Sequence, residues 1–108
     1  MKTLITKNTW NTFSKCGWGN GYVAIPKGNK FYGMPYNNIP VNVHGGLTFS
    51  ELVDEDFMTQ WELTDDYLGM WVVGFDTCHY GDNKEKWTKE KVQEETDDLL
   101  NQLIELSK

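Results

Sequence analysis

The chain of 108 residues carries a net charge of −6, with ten lysines, no arginine, and five each of Trp, Tyr and Phe. That length supports one domain, residues 1–108, around one core. The absence of guanidinium groups and of any basic stripe argues against a binder of duplex nucleic acid. No stretch is long and apolar enough to predict a membrane span, so no membrane partner is expected.

Leu4, Ile5, Trp10 and Phe13, set among Thr, Lys and Asn, predict one or two short strands between Thr3 and Phe13. Cys16-Gly17-Trp18-Gly19-Asn20-Gly21 reads as a turn, with Trp18 at a rim or folded back on the core. Tyr22 to Ile25 is a short strand stopped by Pro26, which has no N–H to donate. Lys27-Gly28-Asn29-Lys30 is a positively charged loop. The aromatic and proline-rich segment Phe31 to Pro40 is irregular chain packed on the body.

Val41 to Val43 is expected to be a strand running into His44-Gly45-Gly46, with Leu47-Thr48-Phe49 continuing beyond a glycine bend. The acidic stretch Ser50 to Asp56 is a helical turn or an exposed loop, and Thr59 to Leu63 a half-buried strand. Thr64 to Tyr67 turns the chain into Leu68–Phe75, the most hydrophobic run and the expected central strand, covered on both faces. Thr88 is placed to cap a last helix, with Trp87 and Val92 at staple spacing. Val92, Thr96, Leu99, Leu103 and Leu106 form its apolar stripe, widened by Leu100 and Ile104, while Glu94, Glu95, Asp98 and Glu105 face outward. The fold class is therefore α+β: a small, mainly antiparallel twisted sheet with one long C-terminal amphipathic helix on a face.

Only two histidines exist, His44 and His79, and each sits where an apolar segment meets glycine. Glycine permits sharp bends and close approach, so two such junctions suggest a small polar-walled pocket. Asp76 and Asp82 flank His79 at three positions on either side, and with His44 these residues have the donors of a divalent metal site with an open position. The competing reading is structural, with the acids capping turns and the histidines bonding across loops. Cys16 and Cys78 lie far apart without CxxC spacing and read as separate reduced thiols of a cytosolic protein. The N-terminal Met1 to Thr6 lacks the apolar region of a signal peptide.

Lys27, Gly28, Gly45 and Gly46 offer backbone N–H groups beside positive charge, the makings of an anion nest. Tyr22, Tyr32, Tyr36 and Trp71 could stack on a nucleobase, or serve simply as core and rim. No nucleophile elbow or Cys–His pairing supports covalent catalysis.

The segments Gly21-Tyr22-Val23-Ala24-Ile25-Pro26-Lys27-Gly28, Tyr32-Gly33, Tyr36, Val43-His44-Gly45-Gly46-Leu47-Thr48-Phe49, Gly74-Phe75-Asp76, His79 and Gly81-Asp82 together resemble a family of small, largely uncharacterised proteins of phages, prophages and their bacterial hosts. The resemblance runs from Gly21 to the final helix. It departs at Asn29, where the family pattern leads us to expect His, and at Cys78, one place later than its expected position. It implies a host cytosol and a counter-defence setting, in which small phage proteins sequester nucleotide immune signals such as cyclic dinucleotides or cyclic ADP-ribose derivatives.

The resulting expectation is a non-enzymatic binding protein for a small nucleotide-derived ligand, with no cofactor and with a homo-oligomer deepening its pocket. His44, His79, Thr48, Asp76 and Asp82 would bond the ligand, Lys27, Gly28, Gly45 and Gly46 would hold an anionic group, and Tyr32, Tyr36 or Trp71 would stack. The alternatives are a metal-dependent hydrolase of a phosphodiester or nucleotide built on His44, Asp76, His79 and Asp82, and an acidic inhibitor of another protein.

Overall fold

The computed structural model describes residues 1–8 and 16–108. Trp10 and Phe13, part of the predicted N-terminal strands, lie outside the described residues. Four strands, β1 (Lys2–Lys7), β2 (Gly19–Ile25), β3 (Phe49–Leu52) and β4 (Trp71–Phe75), form one antiparallel sheet in the order β1-β2-β4-β3. The hydrophobic run supplies β4, which is interior to the sheet as expected. Its alternating side chains feed two apolar layers.

On one face Val23, Ile25, Val73 and Phe75 pack with Val92, Leu99 and Leu103 of α2 (Lys89–Leu106), and Phe31, Ile39 and Val43 from the irregular segments close the layer. On the other face Tyr22, Ala24 and Val72 pack with Val53 and Phe57. Phe57 belongs to a short helix, α1 (Glu55–Trp61), and stacks on Trp61 one turn later at 4.5 Å. Burial of each such side chain contributes about 1.5–3 kcal/mol, so both faces stabilise the sheet that carries the site.

Helix α2 follows its sequence signals: Thr88 Oγ1 accepts the Lys91 N–H at 3.2 Å, and Val92, Thr96, Leu99 and Leu103 are buried. Trp87 packs in the same apolar layer as Val92, consistent with a staple. Ile104, assigned to the apolar stripe, is instead exposed.

Several local expectations are corrected. Gly19, Asn20 and Gly21 are strand, not turn. These glycines serve close approach: a Cβ at Gly21 would overlap Thr96 and the Phe75 ring, and one at Gly19 would overlap the Thr6 carbonyl. Val41 to Val43 is not a strand, because the Gln102 side chain takes both the N–H and the C=O of Asn42 at 2.8 Å, and no ladder partner is left to it.

The strand expected at Leu47–Phe49 begins at Phe49 and runs to Leu52, into the stretch read as helical turn or loop. Thr59 to Trp61 end α1 rather than forming a strand. Asp54 caps that helix by accepting the Phe57 N–H at 2.8 Å, and Glu62 closes it with a left-handed φ of 54°. The apolar residues between Phe57 and Leu63 therefore follow helical spacing, not alternation.

The two cysteines are not separate thiols: Cys16 and Cys78 form a disulfide. It joins the chain entering β2 to the loop after β4. The backbone reinforces this junction, with Gly17 N–H donating to Thr77 C=O at 2.8 Å and Trp18 N–H to Trp87 C=O at 2.7 Å. Trp18 is half-buried against the core, the folded-back alternative.

Candidate metal centre

Each histidine is delivered by a glycine-bearing turn. In Val43-His44-Gly45-Gly46 the Gly46 N–H donates to the Val43 carbonyl at 2.9 Å, and Gly45 has φ 70°. In His79-Tyr80-Gly81-Asp82 the Asp82 N–H donates to the His79 carbonyl at 2.9 Å, and Gly81 has φ 91°. Glycine with positive φ in the third position is the type II signature. In the second turn His79 and Asp82 occupy the first and fourth positions, which such a turn brings side by side.

Asp82 is the hub and is buried, only 5% exposed. Its Oδ1 lies 2.8 Å from His44 Nε2, and its Oδ2 accepts the His79 backbone N–H at 2.8 Å and lies 3.3 Å from His79 Nδ1. Burial alone would raise its pKa. The hydrogen bonds from the His44 ring and the His79 backbone, with the His44 charge, outweigh burial and hold the carboxyl below its ordinary value of 3.8. The imidazoles meet edge to face with ring centres 5.3 Å apart.

The His44 ring rests on Trp87 at 4.3 Å, and its backbone N–H donates to Glu95 Oε2 at 2.7 Å. Glu95, read as facing outward, thus turns toward the site. Its signal was its place three residues after Val92 and four before Leu99, at the flank of the buried stripe. A Cβ on Gly45 would overlap the His79 ring, so only glycine lets these two turns touch.

Asp76, beyond the end of β4, approaches the cluster from the far side of His79. Its Oδ1 is 3.5 Å from His79 Nε2 and accepts the Cys78 N–H at 2.9 Å, while its Oδ2 accepts the Thr48 hydroxyl at 2.9 Å.

Among the described residues, one group has the spacing of a metal site: ligand atoms of His44, His79 and Asp82 all lie within 4.8 Å of one another. Asp76, expected as a fourth ligand, is not part of that group. His79 Nδ1 is buried and has no hydrogen-bond partner. No family model, curated protein or solved structure matches the chain. The site therefore rests on its own geometry.

The stacking and anion-nest residues do not join the histidines. Ile25 pairs with Trp71 and Gly21 with Phe75, so the loop after β2 and the loop after β4 leave opposite ends of an antiparallel pair. Four residue steps of β4 separate those ends by roughly 13 Å. At the far end the Tyr32 hydroxyl donates to the Gly69 carbonyl at 2.6 Å and Trp71 Nε1–H to the Met34 carbonyl at 2.9 Å. Both rings thus tie the Phe31–Tyr36 segment to the sheet. Lys27 and Gly28 are exposed at that same end, where the Lys27 side chain comes within 4 Å of where a Gly69 Cβ would lie. Tyr36 is exposed, its N–H bonded to Ser50 Oγ at 3.0 Å. Of the twelve expected ligand-binding residues, His44, Gly45, Gly46, Thr48, Asp76, His79 and Asp82 form one neighbourhood. Two grooves along α2, lined by Pro40, Gln102 and Leu106 and by Ile5, Lys89 and Gln93, include neither histidine.

Proposed function

We propose that this protein binds a zinc-class divalent cation through His44 Nε2, His79 Nδ1 and the Asp82 carboxylate, with release of the Nε2 proton that Asp82 accepts in the metal-free protein, and uses it to hydrolyse a small phosphoester such as a nucleotide or phosphodiester. The observation that carries this reading is the convergence of ligand atoms of His44, His79 and Asp82 within 4.8 Å, beside a buried His79 Nδ1 that has no hydrogen-bond partner. An orphaned buried nitrogen calls for an explanation, and a cation supplies one.

Two imidazoles and a carboxylate suit zinc. Three protein ligands leave a coordination position for water, the pattern of catalytic rather than structural zinc. Side-chain exposures of 26% for His44 and 33% for His79 leave that position reachable from solvent. A metal-bound water there would be a hydroxide-like nucleophile near neutral pH.

Capture of a nucleotide without turnover draws less support. Asp82 already occupies the space between the imidazoles. Tyr32 and Trp71 stand at the other end of β4, and deepening the pocket would fall to a homo-oligomer. The disulfide favours an oxidising compartment over the cytosol.

The test is calorimetric titration of chelator-stripped protein with zinc, followed by product release from a panel of nucleotides and cyclic dinucleotides. One zinc per chain, lost in both His44→Ala and His79→Ala, with hydrolysis abolished by chelator, is the expected result. Zinc uptake that survives both substitutions would refute the assignment. Stoichiometric uptake without hydrolysis would remove the catalytic half and leave a metal-binding protein.

A further inference from the structure

We infer that the Cys16–Cys78 disulfide is a redox gate for the metal site: intact, it holds the His79 loop ready for a cation, and its reduction loosens that hold. This rests on the metal reading of the same site. Two of the three proposed ligands, His79 and Asp82, lie on the segment from Cys78 to Trp87 that follows β4. Both ends of that segment are pinned on one short strap before β2. Cys78 is pinned by its disulfide to Cys16, and Trp87 by its carbonyl, which accepts the Trp18 N–H at 2.7 Å. Between the pins, the one hydrogen-bonded link among the described residues that leaves the segment joins Asp82 to His44, and it belongs to the site itself.

The disulfide is open to attack, because Cys78 is exposed and Cys16 half-buried. A dithiol reductant would attack through its thiolate. Its two thiols become one disulfide as Cys16 and Cys78 become two thiols, with two electrons and two protons passed across. The sheet does not depend on this bridge alone. Thr77 stays tied to the strap by the Gly17 N–H at 2.8 Å and to β2 by its own hydroxyl, which donates to the Gly19 carbonyl at 2.6 Å. What reduction frees is the backbone of Cys78, the single residue between that tie and His79. The Cys78 N–H bond to Asp76 Oδ1 spans only two residues and adds no long-range hold. Fixing one residue's backbone again on binding would lower zinc affinity about 5–30-fold. By linkage, bound zinc would protect the disulfide from reduction by the same factor. The gate thus couples loading of the site to an oxidising compartment.

The experiment compares full-length protein in three forms: oxidised, reduced with a phosphine, and the double variant Cys16→Ser/Cys78→Ser. A phosphine adds no thiolate, and the double variant separates loss of the bridge from zinc binding by freed thiols. Backbone nitrogen relaxation in metal-free protein reads the order of the loop, and competition with a chromophoric chelator reads zinc affinity. The amides of His79 to Asp82 are expected near an order parameter of about 0.85 when oxidised and below about 0.6 in both bridge-free forms, with β4 unchanged. Zinc should bind about 5–30-fold more weakly to those two forms. Unchanged loop order without the bridge would overturn the inference, as would zinc affinity within about twofold of the oxidised protein. So would tighter binding confined to the reduced wild type, which would mark Cys78 as a ligand instead. Loss of the β4 signals on reduction would also overturn it, since the bridge would then hold the fold and not the loop. The relaxation readout needs no metal. Failure of the oxidised protein to take up zinc would therefore sink the proposed function while relaxation still decides whether the bridge orders the loop.

Discussion

Replacing Asp82 by Asn isolates the electrostatic contribution of the hub, because the amide nearly matches the carboxylate in shape. Asp82 accepts at its two oxygens from His44 Nε2 at 2.8 Å and from the His79 backbone N–H at 2.8 Å. Asn has one carbonyl oxygen; at the Oδ2 place it still reaches the His79 N–H and, at 3.0 Å, His44 Nε2, but an uncharged NH2 group then faces that ring nitrogen where Oδ1 stood at 2.8 Å. The loss is one charge-assisted bond at a buried position, about 1.5–3 kcal/mol. At about 4 °C per kcal/mol for a chain of this size, Tm should fall by roughly 6–12 °C.

The pH dependence supplies a second check with a definite sign. The folded-state pKa of Asp82 lies below its ordinary 3.8, so the unfolded chain takes up the proton first as pH falls. The stabilisation is complete above that ordinary value and is lost as pH drops through the folded-state value. Urea unfolding in chelator, followed by Trp fluorescence, should show the full wild-type advantage at neutral pH. It should shrink toward zero at the lowest pH where both proteins still unfold cooperatively. A neutral-pH difference under about 0.5 kcal/mol would refute the bond assignment, and a difference undiminished in acid would refute its charge dependence.

Two further outcomes follow from the same coordinates. Gly45→Ala should lower stability by about 1–2 kcal/mol for the left-handed backbone alone and also abolish zinc uptake, because its Cβ overlaps the His79 ring. Gly46→Ala has a similar φ of 79° but nothing within 4 Å, so calorimetry should find it destabilised yet still able to bind zinc. Burial raises the Tyr22 phenol above its ordinary 10.0; bonds to Thr6 and Asn20 oppose the shift and the Asp76 charge adds to it. Its stabilisation is therefore present below that value and is lost as pH climbs through the folded-state pKa. Ultraviolet phenolate absorbance should show one late step that coincides with alkaline unfolding and vanishes in Tyr22→Phe.

The global layout was legible because it rests on long, consistent patterns. The run ending at Phe75 and the three-and-four spacing from Val92 to Leu103 predict an interior strand and an amphipathic helix, and Thr88 marks where the helix starts. Short elements were not legible, since tertiary partners decided them. Gln102, distant in sequence, removes Asn42 from any ladder, and the sheet recruits Gly19 and Gly21 where close packing needs them. Convergence of His44 and His79 could be anticipated from the glycines that follow each of them. Separation of Lys27 and Trp71 from that site could have been anticipated too. Segments that follow two neighbouring antiparallel strands emerge at opposite ends, so the loop after Ile25 and the loop after Phe75 cannot share a pocket wall. The roles of Glu95 and Trp87 depend on how α2 is rotated on the sheet, which periodicity constrains only to a stripe. The disulfide depends on two loops meeting, and nothing local to either cysteine announces it.

What distinguishes a cation site from a merely structural knot of histidines is the count of protons against acceptors. A neutral His79 has one N–H and two facing carboxylates, so one contact must lack a proton. If its purpose were only to tie loops, the proton would best sit on Nδ1, within reach of the buried Asp82, with Nε2 left to the half-exposed side where water can satisfy it. Thr48 and the Cys78 N–H hold Asp76 beside the other nitrogen, and the buried nitrogen has no hydrogen-bond partner. That arrangement is costly without a guest, because a buried acceptor without a donor forfeits its hydration. The proposed cation, shared with His44 and Asp82, would remove the cost.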